Sequence, residues 1–239
     1  MRRFYATRDQ FTETQVTLDE DEARHARDVL RLKAGDEVNV FDGEGREYMR
    51  RIEGVDKRCA RLSIVSEIEP SAPESPIDLT LAAAILKGDK TDLVVQKAVE
   101  LGVTRFVPLI AARCEARFKD AGKRLIRWQR IALDAAKQCG RARLMAVELP
   151  MPVAEFLGAA DSGTRLFFSE RDGLPFGGIE ADKKITAVVG PEGGWDDSEI
   201  RAAHEGGFRV LTFGGRILRA DTAAVAITAI LQHHFGDLS

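Results

Sequence analysis

The sequence predicts an α/β chain in two parts, a small β-rich N-terminal domain followed by a larger domain built on a parallel sheet. Three observations predict it. Apolar and polar residues alternate on both sides of Asp42-Gly43-Glu44-Gly45, the pattern of half-buried strands joined by a tight turn. The stretch "EIEPSAPESP", Glu67 to Pro76, replaces apolar periodicity with three prolines, serine and acid, which suits an extended connector. Beyond it, apolar runs of strand length alternate with helical segments, and such alternation implies parallel pairing. A chain of 239 residues has room for two modest domains, and the expected division is 1–70, a linker at 71–76, and 77–239.

In the first part, "EVNVFDGEGREYMRRIEGV" supplies the hairpin and "RCARLSIVSEI" a further strand. One short helix, around Asp21 to Leu30, interrupts them, so a barrel or curled sheet is expected. The second part opens with the strand "IDLTLAAAIL", the helix "KTDLVVQKAVELG" and the strand "RFVPLI". A long basic helix follows, from about Gly122 to Gln138. Next come the strands "RLFFSE" and "KITAVVG", a helix after Trp195, the strand "FRVLTFG", and a last helix from about Asp221 to His234. No repeat or low-complexity tract interrupts this order.

Composition excludes several classes. With 44% hydrophobic and 31% charged residues the chain is globular rather than disordered. The N-terminus has charge but no apolar core of signal length, and no apolar run approaches the ~18 residues of a membrane span, so a cytoplasmic protein without membrane contact is expected. Cys59, Cys114 and Cys139 are odd in number and far apart, which indicates neither a disulfide framework nor a zinc site. A net charge of -3 leaves any case for nucleic acid to local charge.

Two strand ends carry glycine pairs. In "VVGPEGGWDDSEI" the turn lacks the lysine of a phosphate loop and the spacing of a dinucleotide fold, which excludes a nucleotide-dependent kinase or dehydrogenase. Glu192, Asp196, Asp197 and Glu199 crowd the turn and the helix start, where carboxylates cap amides and offset the dipole. A polyphosphate is repelled there, whereas a flat, uncharged or cationic ligand is favoured; S-adenosylmethionine (SAM), a nucleoside with a sulfonium, fits that description. The plain alternative is an ordinary turn with acidic caps. A second pair in "LTFGGRILRADTAAVAITAI" weighs against it, because loops at the carboxyl ends of parallel strands face one crevice.

Taken together, "VVGPEGGW", "FGGRILRADTAA", "LKGDKTDLVVQKAVELGV", "HARDVLRLKAGDEV" and "QCGR" at Gln138 to Arg141 resemble the RsmE family. These are SPOUT-superfamily methyltransferases that modify N3 of a uridine in 16S ribosomal RNA. The likeness runs over nearly the whole chain. It implies an N-terminal PUA-like β-barrel for RNA, a C-terminal α/β trefoil-knot domain binding SAM, and a homodimer whose interface adjoins the cofactor site. The partner implied is 16S rRNA or the small ribosomal subunit. The family's cofactor loops fall on Ser169 and Glu170, on Gly190, Pro191, Glu192, Gly193 and Gly194, and on Phe213, Gly214, Ile217 and Leu218. Gly215 stands where the family has proline, and Ala220-Asp221 where it has Thr-Glu. The loop is then looser, and the carboxylate is one methylene shorter.

Methylating N3 of uracil requires removal of an imide proton and stabilisation of the charge spread onto O2 and O4. Arg219 is the candidate for that charge, since guanidinium stays protonated and offers several donors. Asp221 is the candidate base, or the group that orients Arg219; its plain alternative is helix capping with Thr222. Attack through nitrogen needs no cysteine adduct, which leaves Cys139 structural, and His233 and His234 have no partner motif.

A basic patch runs from Arg113 to Arg143: Arg113, Arg117, Lys119, Lys123, Arg124, Arg127, Arg130, Lys137, Arg141 and Arg143 stand against Glu115, Asp120 and Asp134. Alone it reads as a solvated helix face; beside the family likeness it reads as a phosphate-contacting surface that positions RNA while the base enters unstacked. Lys87 and Lys90 extend it, and His25, Arg27 and Arg31 are the N-terminal candidates for RNA. The competing class is a non-catalytic RNA-binding or ribosome-assembly factor on the same fold, which Gly215 and Ala220 favour and the intact glycine turn opposes.

Overall fold

The computed structural model describes residues 2–114, 120–159 and 162–238, and the chain separates into two compact units. One comprises Met1–Glu74 with Ala136–Leu144; the other comprises Ser75–Ala135 with Met145–Ser239. The assignment of Ala136–Leu144 to the N-terminal unit breaks any partition by linear order.

The N-terminal unit is a five-stranded sheet in the order β1-β3-β4-β5-β2. Its strands are β1 (Arg3–Tyr5), β2 (Gln15–Leu18), β3 (Glu37–Phe41), β4 (Glu47–Val55) and β5 (Ala60–Ile68). The expected hairpin is β3–β4, and Asp42 makes its turn by accepting the amides of Glu44 at 2.8 Å and Arg46 at 3.0 Å, while Gly43 takes φ +80°. Register shifts at Met49/Arg50 and Ile52/Gly54 bend β4. Helix α1 (Glu20–Arg24), capped by Asp19 on the Glu22 amide at 2.9 Å, continues as a wider turn over His25–Val29. Its Ala23 and Ala26 join Phe4, Val16, Leu18, Val40, Ile52 and Leu62 in the core.

One buried ion pair organises this unit. Arg3 donates through Nε and Nη2 to both oxygens of Glu47 at 3.0 Å, and to the carbonyls of Ala136 at 2.7 Å and Arg141 at 2.9 Å. Its guanidinium lies 4.2 Å from the centre of the Phe41 ring. Every charge is matched, so the returning segment Ala136–Leu144 is held by the first strand of the chain. The very short edge strands β1 and β2 escape a pattern reading because three or four residues carry too little alternation.

The second unit is an all-parallel sheet in the order β11-β13-β10-β12-β6-β7-β8, with β9 also beside β7. In chain order the elements are β6 (Asp78–Ala84), α2 (Lys90–Glu100), β7 (Arg105–Ile110), α3 (Ala121–Cys139), β8 (Ala146–Val147), β9 (Met151–Pro152), α4 (Val153–Gly158), β10 (Thr164–Phe168), β11 (Leu174–Pro175), β12 (Lys184–Val189), α5 (Asp197–Glu205), β13 (Arg209–Thr212) and α6 (Ala220–Phe235). The expected order of long elements holds. β6, "DLTLAAA", forms a strand despite its alanines because it lies between β12 and β7, buried on both faces. Val107, Phe156, Phe167, Val188, Trp195, Ile200 and Phe208 form the core. α6 packs against α2 and β12, and its buried residues include Ala220, Ala224, Ile227, Thr228 and Leu231. Among the described residues no helix is long and apolar enough to cross a membrane.

Removing one partner of the buried N-terminal pair leaves an uncompensated charge, so Glu47→Ala is expected to cost about 3–5 kcal/mol. Glu44→Ala, which breaks only the exposed pair with Arg8, is expected to cost under about 1 kcal/mol. Urea unfolding monitored by circular dichroism compares the two.

Candidate functional site

β13, β10, β12 and β6 are neighbours in the sheet, so the turns after them emerge at one edge. They enclose a cavity of about 720 Å³, within the range of small-molecule sites. The turn after β10 contributes Phe168, Ser169 and Glu170; the turn after β12 contributes Gly190 to Gly194. The loop after β13 contributes Thr212 to Arg219, and α6 adds Ala220, Ala223 and Ile227. Lys90, at the start of α2, closes the remaining side.

Close packing explains the glycines of the β12 turn. Trp195 is fully buried, its indole Nε1 donates to the Phe168 carbonyl at 2.8 Å, and its ring lies 4.5 Å from Phe167. A Cβ on Gly190 would stand 2.9 Å from that indole. Gly194 has φ +68°, and a Cβ there would overlap Glu170 Oε1. Phe168 and Phe213 stack at 5.4 Å with an interplanar angle of 6°, making an aromatic wall. By contrast the loop after β13 is open: Gly214 and Gly215 face free space and Ile217 is 94% exposed. Gly215 has φ +100°, a conformation closed to proline, so the residue in this position shapes the loop directly.

The β12 turn is less acidic in effect than in sequence. Lys90 Nζ pairs with Glu192 Oε1 at 3.0 Å, and the Lys87 amide donates to the same oxygen at 3.3 Å. Burial works to raise the Glu192 carboxyl, but the hydrogen bond from Lys90 and the backbone amides bring it below the ordinary carboxylate range. Asp196 caps α5 on Ser198, in a capping box with Glu199, and the Ser198 hydroxyl and amide lower its pKa with help from Arg113. Asp197 takes a 2.6 Å hydrogen bond from Arg171. Repulsion of a polyphosphate by four bare carboxylates is therefore not what this turn offers.

All eleven residues expected to hold the cofactor line the cavity: Ser169, Glu170, Gly190, Pro191, Glu192, Gly193, Gly194, Phe213, Gly214, Ile217 and Leu218. Arg219 lines it too, exposed and at the N-cap of α6. Asp221 does not; it sits in the first turn with Oδ1 buried and without a hydrogen-bond partner. The capping reading of Asp221-Thr222 is corrected, because the helix starts one residue earlier, at Ala220. Pattern reading missed Phe168, Ala223 and Ile227; the last two sit three and seven residues after Ala220, one helical face, and that spacing was the available signal.

The RNA candidates fare unevenly. His25 and Arg31 are exposed, Arg31 at φ +54°, while Arg27 is clasped by Asp28 at 2.6 and 2.7 Å and donates to the Asp56 carbonyl. On α3, Lys123 and Arg130 are exposed, Arg124 is half-buried, and Arg127 is bound by Asp92. Lys87 is exposed, while Lys90 and Arg113 are engaged at the β12 turn. Arg141 is corrected: it is 4% exposed and held by Glu74 at 2.6 Å, and a buried, paired guanidinium is not presented to phosphate. Arg117 and Lys119, with Glu115, lie outside the described residues.

Residues 73–232 match the RNA methyltransferase domain family and residues 18–65 the RNA methyltransferase PUA domain family. The chain is 34% identical over 235 residues to ribosomal RNA small subunit methyltransferase E of Synechocystis, covering 95% of this chain and 76% of that protein. Among solved structures, ribosomal RNA small subunit methyltransferase E from Neisseria gonorrhoeae, bound to S-adenosyl methionine, superposes with a TM-score of 0.92 at 37% identity over 100% of both chains. A Legionella pneumophila methyltransferase in complex with SAM does so with a TM-score of 0.92 at 31% identity over 99% of each.

The two kinds of glycine are expected to respond differently to alanine. Gly190→Ala forces a methyl against a rigid buried indole and should cost about 1–3 kcal/mol by overpacking. Gly214→Ala meets open space and should stay within about 0.5 kcal/mol of the parent. Thermal unfolding of the two variants checks the contrast.

Proposed function

Since this chain belongs to the ribosomal RNA small subunit methyltransferase E family, with a PUA-like N-terminal domain and an α/β trefoil-knot methyltransferase domain, we propose that its cavity binds SAM and that it methylates N3 of a uridine in 16S ribosomal RNA. The chain is a SAM-dependent ribosomal RNA methyltransferase. One observation carries the assignment of the site: the turns after three adjacent strands, β13, β10 and β12, line a single cavity with glycine backbone, stacked aromatics and two carboxylates.

The residues present suit such a ligand. Gly193, Gly194, Gly214 and Gly215 let the backbone close on a flat nucleoside, and Phe168, Ile217, Leu218 and Ile227 supply apolar surface. Glu170 and Glu192 line the wall as carboxylate acceptors, each with a cation beside it. Bound there, SAM supplies a methyl group activated by its sulfonium.

The chain's own task is to hold the uracil while its N3 proton passes to solvent and to stabilise the resulting anion. Arg216 and Arg219 are the cavity-lining cations that form no ion pair among the described residues, so their donors are free for substrate. Arg219, at the N-cap of α6, is assigned the charge developing on O2 and O4. Asp221, off the cavity wall and with a buried, partnerless oxygen, is assigned the orientation of Arg219 rather than proton transfer. The imide proton then leaves to solvent at the open mouth.

Exposed Lys123 and Arg130 on α3 and His25 and Arg31 in the N-terminal unit are the contacts proposed for RNA phosphate. A homodimer adjoining the cavity accords with the exposure of Ile217 and of Leu174, 70% exposed on β11. Family membership supports action on the small ribosomal subunit in the cytoplasm.

Calorimetry is expected to show one SAM site per chain, and mapping of methylated uridines in 16S rRNA from cells with and without the gene to show one N3 site lost. Arg219→Ala should leave SAM affinity nearly intact and slow methyl transfer by at least ~100-fold. Asp221→Asn should slow it less and leave the pH-rate profile in place; a displaced profile would make Asp221 the base.

A further inference from the structure

Cations from three different strand ends converge on the turn after β12. Lys90, after β6, bonds Glu192 at 3.0 Å. Arg113, after β7, reaches the Gly193 carbonyl at 3.4 Å and Asp196 at 3.5 Å. Arg171, after β10, donates to the Trp195 carbonyl at 2.9 Å and to Asp197 at 2.6 Å, with its Nε 3.7 Å from Glu170. The turn is thus tied to each flanking loop in its own unit, and Arg171 joins Glu170 to the end of the glycine turn beside it.

We infer that Lys90, Arg113 and Arg171 are positioning residues for the cofactor cavity, a three-point clamp that holds the acidic glycine turn in its ligand-accepting shape, and that Lys90 and Arg113 do not serve as RNA phosphate contacts. The inference rests on the SAM reading of the cavity. Each cation is engaged by carboxylate or carbonyl oxygens of this turn or of the helix start after it, whereas Arg216 and Arg219, on the same cavity, form no ion pair among the described residues. All three pairs are also partly exposed, where an ion pair adds little to global stability, so their effect falls on the placement of the turn rather than on folding. Arg171 matters most because its Nη2 bonds the Trp195 carbonyl and the Asp197 carboxylate while its Nε lies beside Glu170, a spread of oxygens that a single ammonium nitrogen does not span in the same geometry.

The test is calorimetric SAM binding, with separate KM and kcat for SAM and for RNA, on the full chain and on Arg171→Met, Arg171→Lys, Lys90→Met and Arg113→Met. Each methionine variant is expected to raise the Kd and KM for SAM by about fivefold, the scale set by one exposed pair, with the KM for RNA unchanged. Arg171→Lys should recover part of the loss, and melting temperatures should stay within about 3 °C of the parent. Should Arg171→Met not fold, Asp197→Ala removes the Arg171–Asp197 bond from the other end and carries the same expectation. SAM affinity unchanged in the variants, or a rise confined to the KM for RNA, overturns the clamp. Failure of the unaltered chain to bind SAM overturns the reading of the cavity instead.

Discussion

The indole of Trp195 sets the spacing between the ends of β10 and β12. It is fully buried, bonded to the Phe168 carbonyl, tilted against the Phe167 ring and roofed by Gly190, which has no room for a side chain. A large ring in that place fixes where the glycine turn can run, because close-packed interiors resist even a methyl group. The cavity wall, the aromatic pair Phe168–Phe213 and the start of α5 all follow from it.

Charge acts on top of that packing. The turn after β12 concentrates carboxylates, and the fold returns a partner to most of them: Lys90 to Glu192, Arg113 to Asp196, Arg171 to Asp197, and the Ala112 amide to Glu199 at 2.8 Å. The result is a neutralised frame around a backbone surface, with Arg216 and Arg219 on the cavity wall and in no ion pair among the described residues. That division of labour among cations suits a reaction whose transition state spreads negative charge on the base.

The N-terminal unit is built on a different balance. Its fully satisfied pair Arg3–Glu47 holds Ala136–Leu144 beside the sheet. Arg50, also buried, is stacked 4.6 Å from the Tyr48 ring and 5.3 Å from Phe11, and burial lowers its pKa. His25 in the helical segment and Arg31 just after it are exposed.

What the sequence determined by itself were the features set by local chemistry. The β3–β4 hairpin follows from Asp-Gly, the parallel strands from their apolar runs, and the ligand turns from glycine pairs at strand ends; each depends on neighbours within a few residues. Only the tertiary structure decided which charges are free. Lys90 and Glu192 are 102 residues apart, Arg141 and Glu74 are 67, and Arg127 and Asp92 are 35. A basic stretch looks uniformly available along the chain, yet burial and distant carboxylates engage Arg141, Arg127 and Lys90 while Arg216 and Arg219 stay open. The return of Ala136–Leu144 to the N-terminal unit has the same origin, since the carbonyls that Arg3 binds lie more than a hundred residues away and carry no signature in side-chain pattern.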